Sequence, residues 1–391
     1  MKIKKNNLYI GIALVCMMMP ASLKGSLFGM LTTVLALLVC IITILQEFGR
    51  VHMCPTMIFV IGLTSLELIS TISNGGNAFV WIKYIITYIA MYFLIMGELA
   101  KNENDFLNVG IFVFEMYIWI EIISIIIGKD FLGNYNQVYM IFPCFSVVVL
   151  LLKNRTGKKK YIRKFWTISI CVILGCFLSQ ICYGTYDLEA TFLISACLLI
   201  LYVVFSAFFE KISMKFCLIS IFFLNITLVV TQALLNNRLV EYIIQNILHK
   251  NLNLTGRTDL WKMSVHTILQ KPLLGYGVSW DGLNIWGGKF VPHNQFLYLA
   301  CIGGMLLIMC MVGWLAYIAC ESDRYSKKDI AYRICQYALV AQLVLFLTLS
   351  YSVEQFIPFL FVVDVASFYV EREIRNSRTK SNDEIYMLGR K

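Results

Sequence analysis

Apolar runs of about 17–25 residues recur from one end of the sequence to the other, and they constrain the fold more than any other feature. Each run is long enough to cross roughly 30 Å of hydrocarbon as a helix. Because hydrocarbon offers no hydrogen-bond partners, a chain that crosses it must satisfy its own backbone. With 59% hydrophobic and 14% charged residues, a soluble domain of this length could not hide its apolar surface. The sequence predicts an all-α polytopic membrane protein.

The runs predict about twelve transmembrane helices, with both termini on the same side of the membrane. The predicted spans are 8–22, 26–46, 55–72, 79–98, 107–127, 136–152, 166–183, 190–209, 216–236, 294–320, 331–350 and 354–370. Four regions follow from them: an N-terminal bundle (1–236), one large polar loop (237–293), a C-terminal group of helices (294–371) and a flexible tail (372–391). No signal-peptide cleavage site follows the first run, so it is predicted to remain as the first helix.

Lysine and arginine are concentrated in one set of connections between the predicted spans. That set contains Lys2, Lys4, Lys5, Lys153, Arg155, Lys158, Lys159, Lys160, Arg163, Lys164, Lys211, Lys215, Arg324, Lys327, Lys328, Arg333, Arg372, Arg375, Arg378 and Lys380. The short connections on the other side hold little beyond Lys24, Lys83 and Lys129. The positive-inside rule makes the basic set cytoplasmic and puts loop 237–293 outside. The net charge of +10 is then mainly a signal of topology and of attraction to anionic lipid, not of nucleic-acid binding.

The thirteen cysteines do not indicate a metal site or a disulfide framework. They lie mostly within the predicted spans, form no Cys-x-x-Cys pair and are absent from loop 237–293. Buried cysteine behaves mainly as a small hydrophobic residue, so no metal is predicted.

Loop 237–293 contains the pattern of one amphipathic helix of about three turns. Its apolar face recurs at helical spacing, at positions Trp261, Val265 and Ile268. Thr255 or Thr258 can cap its start, and Lys271-Pro272 ends the pattern. The glycine-rich stretch 281–289 is predicted to be mobile.

Three features of the loop have chemical interest. Arg257 is a permanent cation whose planar donors fit phosphate oxygens, although an arginine that snorkels to the membrane interface is the alternative. His293 can take up a proton near neutral pH, whereas a structural hydrogen-bonding role is its alternative. The Gly275-x-Gly277 pair lacks a Rossmann or P-loop context, so a simple turn is favoured.

Ionisable residues also occur within the predicted spans. Glu67, Lys83, Glu121 and Glu354 fall in the outer portions of their helices by the predicted topology. Because charges in a membrane are costly, such groups face a cavity or one another. A polar cavity that opens outward and a set of paired structural charges are both consistent with this pattern.

The order of the loop motifs resembles that of a known family. Gly-Arg257-x-x-Leu-Trp261 is followed by Lys271-Pro-Leu-Leu-Gly-x-Gly277, then by His293-Asn294-x-x-Leu and a span that contains Gly303-Gly304. Over Leu254 to Gly313, this order resembles the C-terminal signature region of the O-antigen ligase and polysaccharide polymerase family of bacterial membrane proteins. The predicted topology of the whole chain is similar to that family as well.

The resemblance implies a fold like the C-type glycosyltransferases and an activity at the outer face of the bacterial cytoplasmic membrane. The substrates implied are a donor and an acceptor oligosaccharide, both linked to undecaprenyl diphosphate. By the resemblance, His293 would deprotonate the acceptor hydroxyl and Arg257 would hold the diphosphate leaving group, with no metal and no cofactor. Further candidate substrate-binding residues are Arg238, Trp261, Lys271, Asn294 and Glu354. Flippase and chain-length regulator proteins are candidate partners in addition to the lipid bilayer.

The sequence departs from the family pattern in two places. Many members have a second arginine, in a Ser-Arg pair at the outer end of an earlier span, where this chain reads Asp187-Leu-Glu189-Ala-Thr191. Arg238 or Lys271 is the candidate replacement. Leu307 stands where the ligase form of the motif has Gly, Thr or Tyr, which favours a polymerase of repeat units over a ligase. A flippase or transporter of lipid-linked oligosaccharide is the alternative outside the enzyme class.

Overall fold

The chain folds almost entirely into α-helices. A computed structural model describes residues 5–18, 27–51, 54–127, 137–183, 190–209, 211–230, 257–325, 329–352 and 356–388. The helices are α1 (Lys5–Met17), α2 (Leu27–Glu47), α3 (Pro55–Ser73), α4 (Ala78–Ile127), α5 (Gln137–Thr156), α6 (Lys159–Tyr183), α7 (Ala190–Val204), α8 (Ser206–Phe209), α9 (Met214–Val230), α10 (Arg257–Gln270), α11 (Gln295–Tyr325), α12 (Ile330–Leu345) and α13 (Ile357–Leu388). Two short strands, β1 (Leu283–Ile285) and β2 (Gly288–Phe290), lie between α10 and α11. The prediction of an all-α chain is confirmed.

Several helices have the length and composition of membrane spans. Within the described residues, four segments are long and apolar enough to cross a membrane, namely Met30–Glu47, Pro55–Ser73, Trp81–Ser124 and Gln295–Arg324. Helix α4 covers two predicted spans, which meet at Asn102 where φ is −152° and ψ is 80°. The total of about twelve spans stays a prediction.

The burial of apolar side chains differs sharply between the rim and the centre of the bundle. On α2, Leu31 and Leu35 are each 59% exposed and Leu45 is 72% exposed. Nearly every residue of α12 is buried, and this helix packs against α5, α7 and α13. Large exposed apolar surfaces are disfavoured in water but suit contact with lipid. The exposed face of α2 therefore agrees with a membrane environment, and α12 forms the centre of the bundle.

Helix α13 does not end where the last predicted span ends. It continues through Leu388, so residues 372–388 of the predicted tail are helical, and the flexibility of the tail stays a prediction. Its extension is tied to the bundle by side chains, because Tyr317 Oη donates to Glu371 Oε1 (3.1 Å) and Arg372 pairs with Glu103.

One end of the bundle is held together by ion pairs around Glu103. The Glu103 cluster consists of Glu103, Arg155, Asp329, Tyr369 and Arg372, which come from α4, α5, the start of α12 and α13. Arg155 Nε lies 2.8 Å from Glu103 Oε1, and Tyr369 Oη donates to the same oxygen at 2.7 Å. Arg372 bridges the two acids, 3.3 Å from Glu103 and 3.6 Å from Asp329. The connections that the basic residues assign to one side thus meet at one place.

Helix α11 is interrupted at Gly304, where φ is 66° and ψ is −169°. Residues 271–278, here called the wedge segment, lie beside the interruption and take over its hydrogen bonds. The exchanged bonds run from Tyr276 N to Cys301 O, from Gly277 N to Ile302 O and from Met305 N to Pro272 O, each 2.8 Å long. The wedge segment therefore satisfies backbone groups that a continuous helix would pair with one another.

Glycine is required where the wedge segment meets α11. A Cβ atom on Gly304 would lie 2.1 Å from Leu273 O, and one on Gly275 would lie 2.5 Å from Cys301 O. Both residues also have positive φ, which glycine adopts without strain. The Gly275-x-Gly277 motif is thus a turn whose backbone packs directly against a helix.

The end of α3 holds the wedge segment from the other side. Asn74 Nδ2 donates to Gly275 O (3.0 Å), and Val278 N donates to Thr71 Oγ1 (3.2 Å). The wedge segment is therefore fixed between α3 and α11.

The stretch after the wedge segment forms a β-hairpin, which the sequence analysis does not predict, and the mobility of 281–289 stays a prediction. β1 pairs with β2 in antiparallel register, with Leu283 opposite Phe290 and Ile285 opposite Gly288. Trp286 (φ 53°) and Gly287 (φ 76°) form the two-residue turn, as the twist of a tight hairpin requires. An ion pair between Asp281 and Lys289 closes its base.

Candidate functional site

The predicted amphipathic helix of the loop is α10, and it places Arg257 and Trp261 at one end. Leu260, Trp261 and Ser264 are buried at 3%, 1% and 0% exposure, whereas Val265 is 39% exposed. The buried face is therefore rotated from the predicted one, although Trp261 belongs to both. Trp261 Nε1 donates to Pro292 O at 2.9 Å, which joins the first turns of α10 to the residue before His293.

His293 has an unusual backbone that its neighbours hold in place. Its φ is 49°, in the left-handed region that few residues other than glycine adopt. On one side Trp261 fixes the carbonyl of Pro292. On the other side Asn294 N donates to Ser350 Oγ at 2.9 Å. Strained conformations of this kind persist only where the surroundings over-determine them, and they are concentrated at functional sites.

Asn294 is a buried junction between three parts of the bundle. Its side chain donates to Asn225 Oδ1 of α9 (2.7 Å) and to Leu347 O after α12 (3.0 Å). Its Oδ1 accepts from Leu297 N (3.1 Å) and so caps the start of α11. Asn294 is fully buried, and both ends of its amide are bonded within the protein. Trp261 is 1% exposed, and its Nε1 is bonded to Pro292 O. Both residues therefore hold the backbone on either side of His293, and substrate binding by them stays a prediction.

The environment of His293 favours its neutral form. Burial lowers the pKa of His293 below its ordinary value of 6.5, and the positive charge of Arg257 lowers it further. The two residues come from motifs far apart in sequence, yet the fold brings them within electrostatic range. A neutral imidazole beside a permanent cation can accept a proton at neutral pH.

Arg257 is the first residue of α10 and is partly exposed. Within the described part of the chain, it makes no ion pair with a carboxylate, and Asp259, two residues further in the same turn, is exposed. The positive end of the α10 dipole lies at the same place. Guanidinium and helix terminus together favour an anion beside His293.

Lys271 is not close to this pair. It follows the last residue of α10, and a helix of this length separates it from Arg257 by roughly 20 Å. Its ammonium donates to Asn74 Oδ1 and lies 4.7 Å from the centre of the Tyr276 ring. The structure therefore gives Lys271 a contact with the end of α3 and does not support it as a replacement for the second family arginine. Arg238 and Glu354 lie outside the described residues.

A narrow pocket opens beside the start of α11, and it is called here the Glu67 pocket. Its lining comes from four parts of the chain: Glu67 of α3, Tyr88 of α4, then Gln295, Tyr298, Leu299 and Ile302 of α11, and Tyr351 and Phe356 after α12. Glu67 is marked in the sequence as a charge within a span. The other polar residues of the pocket have no distinguishing pattern in the sequence, because only tertiary packing brings them together. The same is true of Asn225 and Ser350, which lie outside the pocket.

Comparisons with known proteins do not assign the chain to a family. No protein-family model matches the chain, and neither a search of curated proteins nor a search of solved structures gives a match. The resemblance over Leu254 to Gly313 therefore stays a prediction drawn from motif order and topology.

Proposed function

We propose that the chain is a glycosyltransferase that joins undecaprenyl-diphosphate-linked oligosaccharide repeat units into a surface polysaccharide, such as a capsule, exopolysaccharide or O-antigen. The reaction takes place at the outer face of a bacterial cytoplasmic membrane. The growing chain on its lipid carrier is the donor, and a hydroxyl at the non-reducing end of an incoming unit is the acceptor.

One observation carries the proposal: His293, whose flanking backbone is held by Trp261 and Ser350, lies within electrostatic range of Arg257. Neutral His293, held by Trp261 and Asn294, supplies a base, and Arg257 at the start of α10 supplies a cation. A base and an anion site are the two groups that glycosyl transfer from a diphosphate needs. The family resemblance connects the same two residues with the same two roles.

The chemistry balances with these groups alone. The acceptor oxygen forms a bond to the anomeric carbon of the donor while His293 takes the hydroxyl proton. The bond from that carbon to the diphosphate oxygen breaks, and its electron pair leaves with undecaprenyl diphosphate. Arg257 stabilises the negative charge that develops on the leaving group. A positioned base contributes about 10²–10⁴-fold to such a step, and a preorganised cation contributes on the order of 10²–10³-fold.

The test replaces His293 by Ala in the native host and separates the host glycans on a gel. We expect single, unpolymerised repeat units, because the base is lost. Long chains left on the lipid carrier would indicate a ligase instead. A normal ladder would remove His293 as the base and would favour the transporter alternative.

His266→Ala is the matched control. His266 lies on the exposed face of α10, where its ring is 3.3 Å from Gln270 Nε2. We expect a normal ladder from this variant. An equal loss in both variants would show that the gel reports on the stability of the α10 region and not on a base.

A further inference from the structure

The β-hairpin that precedes His293 presents two exposed aromatic rings, here called the aromatic tip. Trp286, in the turn, is 58% exposed, and Phe290, on β2, is 38% exposed. Their ring centroids lie 5.6 Å apart with an angle of 73° between the ring planes. In such an edge-to-face contact, the edge of one ring covers one face of the other. At least one face of each ring is therefore not covered by its neighbour.

The turn itself does not explain why residue 286 is a tryptophan. Trp286 has a φ of 53°, in the left-handed region that bulky residues rarely adopt. A two-residue turn with positive φ at both positions favours Asn or Asp before Gly. Because the ring is largely exposed, it also adds little to the apolar core. A large side chain that is kept at a strained backbone position, with most of its surface outside the core, indicates a function for the ring.

The aromatic tip stands on a fixed base close to His293. Leu283, which lies opposite Phe290 in the hairpin, is 3% exposed, and β1 packs against α10. A Cβ atom on Gly282 would lie 2.7 Å from Phe290 O, so this glycine allows the two strands to meet closely. From Phe290 the chain reaches His293 in three residues, so their Cα atoms are at most about 11 Å apart. The rings are thus neighbours of the proposed base.

Polar side chains accompany the rings on the hairpin. Asn284 is exposed, and the paired Asp281 and Lys289 side chains are 64% and 59% exposed. A sugar has an apolar C–H face, which packs on an aromatic ring, and hydroxyls, which bond to amide and charged groups. The exposed face of α2, in contrast, consists mainly of aliphatic side chains such as Leu31 and Leu45, which suits lipid. The mixture on the hairpin fits a saccharide better than a lipid.

We propose that the aromatic tip binds the oligosaccharide of a lipid-linked substrate, next to the sugar that reacts at His293, with the rings of Trp286 and Phe290 packed on sugar faces. This inference rests on the proposed function for the identity of the saccharide. It adds two substrate-binding residues that lie between the loop motifs and belong to none of them.

The experiment removes the ring of Trp286 without harming the turn. Trp286→Asn creates an Asn-Gly pair, which is the preferred sequence for this turn, so the hairpin should remain intact. The probe is the oligosaccharide released by mild acid from the lipid-linked pool of the host, labelled with a fluorophore at its reducing end. Fluorescence anisotropy with detergent-solubilised full-length protein gives the affinity.

We expect saturable binding of the probe to the wild type. The affinity should fall about tenfold or more in Trp286→Asn, because an aromatic anchor commonly supplies a large share of the affinity of a binding surface. Phe290→Val, which keeps a residue suited to a strand, should also bind more weakly. Trp286→Tyr keeps an aromatic ring and should bind nearly as the wild type does.

Leu269→Asn is the matched control, because Leu269 is an apolar residue of α10 that is 70% exposed. It should bind the probe like the wild type. Unchanged binding in Trp286→Asn, an equal loss in Leu269→Asn, or no saturable binding to the wild type would each overturn the proposal. The thermal midpoint of Trp286→Asn should equal or exceed that of the wild type. If it is lower, Phe290→Val decides in its place.

A second measurement tests whether Trp286 contacts lipid instead. The wild type and Trp286→Asn are reconstituted in phosphatidylcholine vesicles whose acyl chains carry bromine, which quenches the fluorescence of tryptophan in contact with it. We expect the same loss of emission in both proteins, because Trp286 does not contribute to it. A larger loss in the wild type would place this ring in the membrane and would overturn the proposal.

The two proposals fail in different ways. A polymer lost in His293→Ala together with normal probe binding in Trp286→Asn would overturn the aromatic tip and leave the polymerase. A normal ladder in His293→Ala together with Trp286-dependent binding would overturn the polymerase and leave a saccharide site.

Discussion

The two ends of the helical bundle use their charged residues in opposite ways. At the end formed by the Glu103 cluster, two acids and two arginines neutralise one another across four helices, and a tyrosine donates a hydrogen bond to one of the acids. At the end that contains His293, an exposed ion pair between Asp281 and Lys289 closes the hairpin, but the backbone around His293 is fixed by neutral hydrogen bonds from Trp261, Asn294 and the wedge segment. There Arg257 and Glu67 have no ion-pair partner among the described residues.

This difference separates stability from function. Where charges are paired with one another, their removal should change the free energy of unfolding and leave the chemistry intact. Where neutral groups provide the rigidity, charged groups remain available for a substrate. Substitutions at the two ends should therefore differ in whether they lower stability or activity.

The largest effect is expected at the break in α11. Gly304→Val puts a side chain against Leu273 O, 2.1 Å from the Cβ position, at a backbone with positive φ. The wedge segment would have to leave α11, and we expect a loss of roughly 3 kcal/mol or more in the free energy of unfolding. The measurement is the yield and thermal midpoint of the purified protein in detergent.

Gly287→Ala separates crowding from backbone strain at this end of the molecule. Gly287 has a similar φ of 76°, but nothing lies within 4 Å of its Cβ position. The strain alone costs about 1–2 kcal/mol, so this variant should be purified in nearly normal yield. Equal damage from both substitutions would mean that close packing of the wedge segment is not what requires Gly304.

Asn294→Ala should affect stability and activity together. It removes the amide nitrogen that donates to Asn225 Oδ1 and to Leu347 O in a fully buried place, which costs about 2–4 kcal/mol. It also releases one side of His293, so the activity per folded molecule should fall. Thermal unfolding and an in vitro polymerisation assay at matched folded protein measure the two effects. Loss of stability with full activity would show that His293 does not depend on this junction.

How much the sequence predicts differs between these regions for physical reasons. Hydropathy and periodicity depend on local residue order, so the helical class, the existence of α10 and the order of Arg257 and His293 could be predicted. The buried face of α10 could not, because it depends on the elements against which α10 packs, namely α9, α11 and β1. The hairpin could not be predicted either, since its turn is Trp286-Gly287 and lacks the usual Asn-Gly or Asp-Gly signal.

The partners that hold the residues next to His293 could not be predicted. Asn225 lies within a predicted span and Ser350 at the end of another, with nothing in their spacing to connect them to Asn294. Their role depends on which helices become neighbours, and that information is tertiary. The Glu67 pocket has the same origin, although the costly charge of Glu67 within a span is a signal that something compensates for it.

A smaller effect is expected at the opposite end. Glu103→Gln weakens the contacts to Arg155 and Arg372 in a partly exposed place, where Glu103 itself is 17% exposed. We expect a loss of about 1–2 kcal/mol in stability and an unchanged rate per folded molecule. Arg324→Gln is the control, because its contact with Glu321 is 3.8 Å long and its side chain is 67% exposed. A fall in the polymerisation rate per folded molecule of Glu103→Gln would show that the charges at this end also contribute to activity.

The smallest effect is a shift in the titration of His293. The neutral imidazole is the base, so activity is retained above its pKa and lost as the pH falls through it. Burial and the charge of Arg257 lower that pKa below 6.5, and the midpoint should therefore lie below pH 6.5. Arg257→Gln removes the positive charge that lowers the pKa of His293 and should move the midpoint upward, whereas Arg257→Lys keeps the charge and should leave the midpoint in place.

Diethyl pyrocarbonate reacts with neutral imidazole, so the rate of this reaction plotted against pH gives the midpoint of His293. The other three histidines, His52, His249 and His266, are replaced by Gln for this measurement. A midpoint at or above 6.5 in the parent, or a downward shift in Arg257→Gln, would show that the two residues do not share the electrostatic environment on which the proposed reaction depends.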